Sequence, residues 1–284
     1  MDLSIVIVSW NTKQLLDDCL ASIFKETKEI NFEVFVVDNK SSDGSAAMVK
    51  DKYPKVNLIE NKINAGFAAA NNQAIRQASG RYILALNPDT VVLKNALDGA
   101  VKILDKRPEV AILGPKTLNS DGSQQKTVWA DPSLAAQIFL LTKLKHLFPK
   151  LKTIKKYYRF SFDYNKESYV EQVQGSFLLI RREFLEKRGL FDEKFFIWFE
   201  EVDLCLRARK AGYKILYSPE TQIIHYGGES FKQVMTLKKQ KMYNRSLFYY
   251  FWKNKPRWQY FVLRVFEIPS LLLAALAGTI KSLK

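Results

Sequence analysis

The chain has 284 residues, of which 47% are apolar, and a formal net charge of +15 at pH 7. This length fits one large domain or one domain with an appendage, and the apolar content excludes a wholly disordered chain. Cys19 and Cys205 stand far apart and fit no metal-ligand spacing, so we expect two free, buried thiols. The start, MDLSIVIVSWN, has no basic segment and no cleavage site, and it predicts no signal peptide.

The first 115 residues alternate strand and helix patterns. The strand patterns are LSIVIVSW (3–10), FEVFVVD (32–38), VNLIEN (56–61), RYILALN (81–87) and VAILGP (110–115). Between them lie helical patterns at 15–23, FAAANNQAIRQA (67–78) and NALDGAVKILDK (95–106). Strands that alternate with helices predict an α/β fold with a mainly parallel, doubly wound sheet, similar to a Rossmann fold.

The rhythm changes after residue 115. The patterns here predict a basic helical segment (133–156), a long strand YVEQVQGSFLLIRR (169–182), a helix from about Glu200 to Gly212, and two strands, YKILYS and TQIIHYGG. We therefore expect a domain over 1–234, divided at 115/116 into two halves, and a tail over 235–284.

The positive charge is concentrated in two segments. Residues 143–156 contain six Lys and no acid, and residues 235–284 contain ten Lys or Arg and one acid, Glu267. The rest of the chain has 28 basic and 28 acidic residues. This distribution predicts a docking surface rather than a generally basic protein.

Polar residues gather where the predicted strands end. They are Ser9, Trp10 and Asn11 after the first strand, Asp38 and Asn39 after the second, and Asn87 and Asp89 after the fourth. Ligands of open parallel sheets bind at this edge, although such residues are also ordinary turn formers. The sequence has no G-x-G-x-x-G, no Walker A motif and no G-x-S-x-G, and its two histidines leave little scope for histidine-based catalysis.

Five stretches in order resemble the family 2 glycosyltransferases with the GT-A fold, above all the bacterial rhamnosyltransferase-like members. They are SIVIVSWN, VVDNKSSDGS, NAGFAAANNQAI, LNPDT and the long run from VQGSFLLIRR to IIHYGG, and they cover about residues 3–230. The resemblance implies an inverting transferase that uses a nucleotide-sugar donor. It makes residues 1–115 the nucleotide-sugar-binding half of the domain and residues 116–234 the acceptor and catalytic half.

The resemblance also implies roles for individual residues. Asp38 would read the pyrimidine base, and Asp89 would be the last residue of the Asp-x-Asp motif that holds a divalent metal, Mg²⁺ or Mn²⁺. Asn87 stands where the first acid of that motif usually is, which weakens the expected metal site, and His225 would be a further metal ligand. The other residues expected at the donor are Ser9, Trp10, Asn11, Asn39, Asn64, Gly66 and Asn71.

The stretch FFIWFEEVDLCLR (195–207) places three carboxylates after an apolar run. The resemblance makes Glu201 the base that accepts the acceptor's proton, with Glu200 and Asp203 beside it as catalytic residues, and it puts Gly175 and Trp198 at the acceptor. On a helix Glu200 and Asp203 share a face, and Asp203 can pair with Arg207. The alternative is that all three acids only face the positive end of a solvated helix. The aromatic run before them is either core or a wall of the acceptor site, and we expect core.

The tail mixes basic, aromatic and apolar residues. Its apolar run from Ile268 to Ile280 is 13 residues long and contains Pro269, whereas a spanning helix needs about 20 residues. Peripheral attachment to an anionic membrane surface is the better interpretation, and the apolar run argues against nucleic acid as the partner. Because no catalytic motif lies there, a chain that ends near Lys241 is expected to fold.

These patterns together predict a metal-dependent glycosyltransferase of the hexosyltransferase type on the cytoplasmic face of the cell membrane. It would move a sugar, rhamnose from dTDP-rhamnose by the resemblance, to a hydroxyl of a lipid-linked or polysaccharide acceptor. The alternatives are a UDP-sugar donor (galactofuranose, glucose or N-acetylhexosamine) and a binding homologue without turnover.

Overall fold

The structure is a computed structural model that describes residues 1–228 and 235–282. The strands are β1 (Leu3–Ser9), β2 (Phe32–Asp38), β3 (Asn57–Glu60), β4 (Tyr82–Leu86), β5 (Thr90–Val92), β6 (Val110–Leu118), β7 (Val128–Trp129), β8 (Ser168–Val170), β9 (Gln172–Val173), β10 (Phe177–Arg181) and β11 (Lys214–His225). The expected boundary at 234/235 adjoins residues 229–234, which lie outside the described residues, so the domain limits stay a prediction.

Helices cover both faces of the sheet and form the end of the chain. They are α1 (Lys13–Glu26), α2 (Ser45–Lys52), α3 (Phe67–Ile75), α4 (Ala96–Asp105), α5 (Leu134–Leu141), α6 (Lys152–Tyr157), α7 (Arg182–Arg188), α8 (Glu200–Lys210), α9 (Thr236–Asn254), α10 (Arg257–Val265) and α11 (Glu267–Ser282). A short 3₁₀ helix, Leu144–His146, follows α5.

One sheet dominates the described part of the chain. Eight strands run in the order β3-β2-β1-β4-β10-β6-β11-β5, and β8 pairs with β11. The first four pair in parallel, as do β6 and β11, whereas β10 is antiparallel to both of its neighbours. The predicted doubly wound α/β architecture is confirmed, and the antiparallel pairs are those that β10, β5 and β8 make. Strand direction depends on which neighbour a strand joins, and hydrophobic pattern does not encode that.

Two predicted elements are interrupted. The strand predicted over 169–182 is three strands, because β9 leaves the main sheet to pair with β7 before β10 returns to it. The helix predicted over 133–156 is α5, the 3₁₀ helix and α6. The 3₁₀ helix follows Lys143, which has a positive φ, and Pro149 precedes α6.

Two predicted strands are instead one. The 12-residue β11 runs through Pro219, and its register against β6 shifts between Ser218 and Gln222. A bulge of this kind lets a strand pass a proline that cannot donate to the ladder. The far end of β11 pairs with β5, a strand that the sequence did not predict, and this pairing sets Thr90 opposite His225.

The sheet is buried on both faces because its strands are apolar at consecutive positions. In β1, Ile5 and Ile7 belong to one core cluster and Val6 belongs to the cluster on the opposite face. The helices of the first half and the long helix α8 complete these layers. The carboxyl ends of β1, β2 and β4 therefore meet at one edge, as expected for parallel strands.

The tail forms a third core cluster with the second half of the domain. Leu247, Phe248, Tyr250 and Phe251 of α9 are buried against Phe195, Phe199, Val202 and Leu206. Burial of four such side chains contributes roughly 6–12 kcal/mol, which is comparable with the whole stability of a domain. At least α9 is therefore part of the folded domain rather than an appendage.

No single helix among the described residues is long and apolar enough to cross a membrane. By length and composition alone, α10 and the first part of α11 pass that criterion as a pair, but they meet at a bend of 42°.

We predict that a chain ending at Lys241 will not fold cooperatively, the opposite of what the sequence alone suggested. It would leave Phe195, Phe199 and Val202 without most of their apolar partners. A chain ending at Pro256, which keeps all of α9, should instead unfold cooperatively at a lower temperature than the full chain. Circular dichroism melts of the three proteins test this, and a native-like melt of the shorter truncation would contradict it.

Candidate active site

The ends of β1 and β2 form the donor side of the site. Ser9 pairs with Asp38 in register, and the backbone N–H of Asn39 donates to the Ser9 carbonyl at 2.8 Å. Asp38 is buried, and its Oδ2 accepts from the Ser41 backbone N–H at 2.9 Å. Its Oδ1 has no hydrogen-bond partner among the described residues. A buried carboxylate oxygen in this state is suited to a ligand N–H.

Several predicted donor residues shape the loops of this edge. Asn11 has a positive φ of 51°, and its Oδ1 accepts from the Ser42 backbone N–H at 2.7 Å. Trp10 next to it is partly exposed. Asn39 accepts from the Ala65 backbone N–H at 3.3 Å and donates to the Gly66 carbonyl at 3.3 Å. The structure thus brings the first two strand ends and the loop before α3 together.

The rest of that loop is also held by amide side chains. Asn64 accepts from the Gly66 backbone N–H at 3.0 Å. Asn71, on α3, donates to the Phe67 carbonyl at 2.9 Å, and its Oδ1 is a second buried acceptor without a partner in the described part of the chain.

The loop before α3, which we call the donor loop, contacts the segment that precedes α8 at Gly66. This glycine has φ 83° and ψ 173°, a backbone conformation almost exclusive to glycine. A Cβ here would lie 2.5 Å from the Phe196 carbonyl oxygen and 2.7 Å from its ring. The same carbonyl accepts from the Phe67 backbone N–H at 2.7 Å. The two motifs NAGF and FFIWFEE are therefore joined at this point.

Asn72 makes a second contact between these parts, and the sequence analysis missed it. Its side chain is buried, donates to the Phe191 carbonyl at 2.8 Å and accepts from the Phe191 backbone N–H at 3.1 Å. It also donates to Glu193 at 2.9 Å. The sequence feature that could have indicated this contact is the adjacent pair Asn71 and Asn72 within an Ala-rich helix. Amide side chains that are buried among alanines need hydrogen-bond partners from another part of the chain.

The carboxylates of Glu200 and Glu201 are both buried at the start of α8. Only 4% of Glu200 and 8% of Glu201 is exposed, and Oε2 of each has no hydrogen-bond partner among the described residues. Burial, followed by the charge of Glu201, raises the pKa of Glu200 well above its usual value. Burial also raises the pKa of Glu201, to about 7, while backbone hydrogen bonds at the helix start lower it. Both carboxyls therefore hold their protons more tightly than free glutamates do.

Gly175 and Ser176 connect Glu201 to the Asn87-Pro88-Asp89 turn. A Cβ on Gly175 would be 3.6 Å from Cγ and Cδ of Glu201, so this glycine lies directly against the carboxylate. The next residue, Ser176, accepts from the Asn87 backbone N–H at 3.0 Å. The interruption between β9 and β10 therefore positions Gly175 between the base candidate and the donor edge.

Two strained residues lead into α8. Trp198 and Phe199 have φ values of 63° and 70°, which aromatic residues rarely adopt. Phe199 is buried, as expected for core, whereas Trp198 is half-buried and contacts the Tyr243 ring edge-on, with centroids 6.1 Å apart. Strain of this kind persists only where the surroundings determine the conformation.

Asp203 has a structural role in this geometry. It is fully buried, and its Oδ2 accepts from Arg207 Nε and Lys253 Nζ, each at 2.9 Å, while Oδ1 accepts from Asn254 at 2.9 Å. The predicted Asp203–Arg207 pair is present. Both oxygens are engaged, so the carboxylate fastens α8 to α9, and its expected catalytic role stays a prediction.

Asp89 and His225 face each other because β5 pairs with β11. His225 Nε2 is 3.3 Å from Asp89 Oδ1 but makes no hydrogen bond with it or with any other described residue. His225 Nδ1 lies 2.8 Å from Gln125 Oε1, and the Gln125 amide donates to Asn119 at 2.9 Å and to the His225 carbonyl at 3.2 Å. These bonds orient the amide so that Nδ1 is the donor. In the neutral imidazole, Nε2 then carries the lone pair and faces the carboxylate.

This arrangement suits a divalent cation. One imidazole nitrogen and one carboxylate oxygen, both buried and both acceptors, are ligands that Mn²⁺ accepts, and Gln125 supplies the usual outer partner of a metal-bound histidine. The described residues contain no group of three or more His, Cys, Asp or Glu that could hold a metal. A metal here would need further ligands from a bound diphosphate or from water.

Residues 4–189 match the family described as glycosyl transferase family 2. The chain belongs to this family. The matched region contains the donor edge and Gly175, and it ends before Glu200 and Glu201.

The relatives that the chain resembles in sequence include glycosyltransferases. The chain is 28% identical over 239 residues to an N-acetylglucosaminyl-diphospho-decaprenol L-rhamnosyltransferase of Mycobacterium tuberculosis, covering 80% of this chain and 77% of that one. It is 27% identical over 236 residues to the rhamnosyltransferase WbbL of Escherichia coli, covering 78% and 82%.

The fold also matches solved glycosyltransferases. A mannosyltransferase from Pyrobaculum calidifontis, in complex with GDP-Man and Mn²⁺, superposes with a TM-score of 0.59 at 17% identity, covering 98% of this chain and 75% of that one. The GT-A fold and a hexosyltransferase activity, both expected from the sequence, are confirmed.

We predict that Gly66→Ala will reduce transfer strongly and lower the melting temperature. The new Cβ would push the Phe196 carbonyl away and shift the segment that leads to Glu201. Gly122→Ala is the matched control, because Gly122 has φ 80° but no atom within 4 Å of the added Cβ. Equal effects of the two substitutions, measured by thermal melts and transfer assays, would show that only the positive φ matters.

We predict that Glu201→Gln will stabilise the protein more at high pH than at low pH. A carboxyl whose folded pKa is about 7, against 4.5 for the free group, binds its proton more tightly in the folded state. Stability is therefore lost as pH rises between these values, by up to about 3 kcal/mol. Urea unfolding of wild type and variant at about pH 5 and about pH 8 measures this. The exposed Glu186→Gln should show no such difference between the two pH values.

Proposed function

We propose that the protein is an inverting rhamnosyltransferase that uses dTDP-rhamnose and adds the sugar to a hydroxyl of a lipid-linked or polysaccharide acceptor. The observation that carries the proposal is the buried Glu201 carboxylate, with a pKa of about 7, beside Gly175 and the donor edge. The two rhamnosyltransferase relatives support the sugar, and the first of them is named for a diphospho-decaprenol acceptor.

The transfer is a direct displacement at the anomeric carbon. Ionised Glu201 accepts the proton of the acceptor hydroxyl as its oxygen bonds to that carbon, and the bond from the carbon to the nucleotide diphosphate breaks on the opposite face. A carboxylate with a pKa near neutrality suits this work, because it is ionised in much of the protein and still basic. Burial and the charge of Glu201 raise the pKa of Glu200, so Glu200 holds its proton more tightly than a free glutamate does.

The donor edge provides for the nucleotide. The unpartnered Oδ1 of Asp38 accepts the N3–H of a pyrimidine base. Thymine and uracil both carry this group, so Asp38 itself does not exclude the alternative UDP-sugar donor. A guanine nucleotide, as in the mannosyltransferase complex, would need a different set of contacts.

A divalent cation would be held by Asp89 and His225, with Gln125 orienting the imidazole. When bound, the metal stabilises charge on the departing diphosphate. The neutral Asn87 leaves the protein's share of the site with a single carboxylate, so we expect weak metal binding in the absence of donor.

The positive segments support attachment to a membrane. We place the protein at the inner face of the cell membrane, held peripherally by residues 235–284, where a lipid-linked acceptor and a cytoplasmic nucleotide-sugar are both available. Nucleic acid is not a partner in this proposal.

Thermal-shift measurements with nucleotide-sugars test the function directly. We expect dTDP-rhamnose with Mn²⁺ to raise the melting temperature more than UDP-glucose, UDP-galactofuranose or UDP-N-acetylglucosamine, because only a ligand of the folded state stabilises it. A larger shift with one of the UDP-sugars would show that this sugar nucleotide, and not dTDP-rhamnose, is the donor. If no nucleotide-sugar raises the melting temperature and none is hydrolysed, the proposed class of substrate is wrong.

Glu201→Gln should keep the donor-induced shift and lose transfer by roughly 10²–10⁴-fold, the usual contribution of a general base. In the wild type, turnover should rise as pH increases through about 7, because the ionised form of Glu201 is the active one. Near-normal transfer by the variant would exclude Glu201 as the base. Asp203→Asn, by contrast, should act mainly by lowering the melting temperature.

Asp89→Ala and His225→Ala should each weaken the Mn²⁺-dependent part of the donor-induced shift, and EDTA should have the same effect on the wild type. Gln125→Glu, which keeps an acceptor for Nδ1, should preserve more of this shift than Gln125→Leu. If donor binding and transfer are unchanged in EDTA, the metal role is wrong and Asp89 contacts the sugar instead.

A further inference from the structure

The two last helices turn their large apolar side chains away from the protein. Between 59% and 72% of each is exposed, and they follow one another at intervals of three or four residues: Trp258, Phe261, Val265, Ile268, Leu272 and Leu276. We call this set the apolar stripe. The face of α10 and α11 that packs on the protein carries smaller or polar residues, including Ser270 and Ala274, together with Leu263. A continuous row of large apolar side chains on the outer face is the reverse of what a water-exposed helix carries there.

A basic groove adjoins the stripe. It is a cavity of about 460 Å³ between α9, α10 and α11, lined by three cations, four aromatic rings and one acid: Lys241, Arg245, Arg264, Phe248, Tyr249, Trp252, Tyr260 and Glu267. Arg264 pairs with Glu267 at 3.1 Å and lies 5.2 Å from the Phe248 ring centroid. Lys241 and Arg245 are exposed and have no acidic partner among the described residues. The groove therefore carries uncompensated positive charge.

The stripe and the groove share α10. Tyr260 and Arg264 point into the groove, and the residues that follow each of them, Phe261 and Val265, belong to the stripe. Successive residues on a helix are about 100° apart, so the two surfaces meet along the helix edge. A ligand that fits both has an anionic group next to an apolar chain. Trp252, Trp258 and Tyr260 lie at this border, where aromatic residues of membrane proteins meet headgroups.

We propose that the apolar stripe lies in the acyl boundary of a membrane and that the basic groove holds the phosphate of an anionic phospholipid. The bend of 42° and the Arg264–Glu267 pair at that bend favour helices that lie along the surface over helices that cross it. A second copy is disfavoured as the occupant, because it would bring two groups of cations together. This inference rests on the proposed membrane attachment but not on the proposed sugar chemistry.

Helix α9 would connect the membrane-binding surface to the candidate active site. On α9, Ser246 donates to the Ile197 carbonyl at 2.7 Å, and Lys253 contacts both Asp192 and Asp203. The same helix thus lines the lipid groove and supports the segment that carries Glu201. A hydroxyl acceptor anchored in the same membrane would arrive at a fixed height relative to the base.

Vesicle co-sedimentation of the full chain tests the proposal, with no donor present. Vesicles of phosphatidylcholine, with and without phosphatidylglycerol, are the probes. We expect binding to both, and tighter binding to those with phosphatidylglycerol. Lys241→Gln combined with Arg245→Gln should remove most of that preference, about fivefold for each charge. Lys55→Gln combined with Lys106→Gln removes the same charge from exposed sites elsewhere and should leave it unchanged.

The stripe needs its own pair of variants. Leu272→Gln should weaken binding to both kinds of vesicle about tenfold, whereas Ile63→Gln, at a similarly exposed residue with 68% exposure, should not. Thermal melts of each variant verify folding. These substitutions lie on exposed surfaces, so their melts should match the wild type.

Several outcomes would overturn the inference. Groove variants indistinguishable from their control would remove the phosphate site, and competition by inorganic phosphate at concentrations far below those of the lipid would make it a site for free anions. A dimer that Leu272→Gln converts to a monomer, with vesicle binding unchanged, would assign the stripe to a second copy. If the wild type does not bind vesicles, the membrane attachment fails as a whole, while the thermal-shift test of the donor still stands.

Discussion

The hydrogen bond from the Phe67 backbone N–H to the Phe196 carbonyl, closed over Gly66, is the contact on which the site depends. It joins the donor loop to the segment that carries the acidic pair, and only a glycine leaves room for it. Asn72 repeats the connection a few residues earlier through Phe191. Without these contacts the two halves would each retain a sheet and helices, but the base candidate would have no defined position relative to the donor.

Burial of Glu200 and Glu201 destabilises the folded state, and contacts from the surrounding residues compensate for this. Two residues with positive φ precede α8, and two carboxyl groups with raised pKa values begin it. Their position persists because α9 holds the same region from the other side, through Ser246 to the backbone and through Lys253 and Asn254 to Asp203. Burial of the Glu201 carboxylate therefore costs stability, whereas the hydrogen bonds of Asp203 contribute to it.

The second half of the sheet explains the pairing of Asp89 with His225. These residues are far apart in sequence, and the antiparallel contact of β5 with β11 brings them to 3.3 Å. Gln125, from a third region, sets the imidazole so that its free lone pair faces the carboxylate. The protein offers only these two ligands among its described residues, so metal and donor diphosphate should bind cooperatively, each completing the site of the other.

The sequence by itself determined the layers, the strand ends and the type of chemistry. Consecutive apolar residues in β1, β2 and β4 require burial on both faces, and parallel strands must then align Ser9, Asp38 and Asn87 at one edge. The family resemblance added the roles of Glu201, Asp89 and His225, which periodicity does not encode.

Only the tertiary structure determined which residues that are distant in sequence contact one another. It set β10 antiparallel between β4 and β6, placed Gly175 against Glu201, engaged both oxygens of Asp203 and made α9 part of the core. Local patterns report whether a side chain needs burial, whereas these outcomes depend on which distant surface satisfies that need. In the tail, one face of α9 is buried in the third core cluster, whereas the outer faces of α10 and α11 stay exposed. Apolar composition alone does not distinguish these two outcomes.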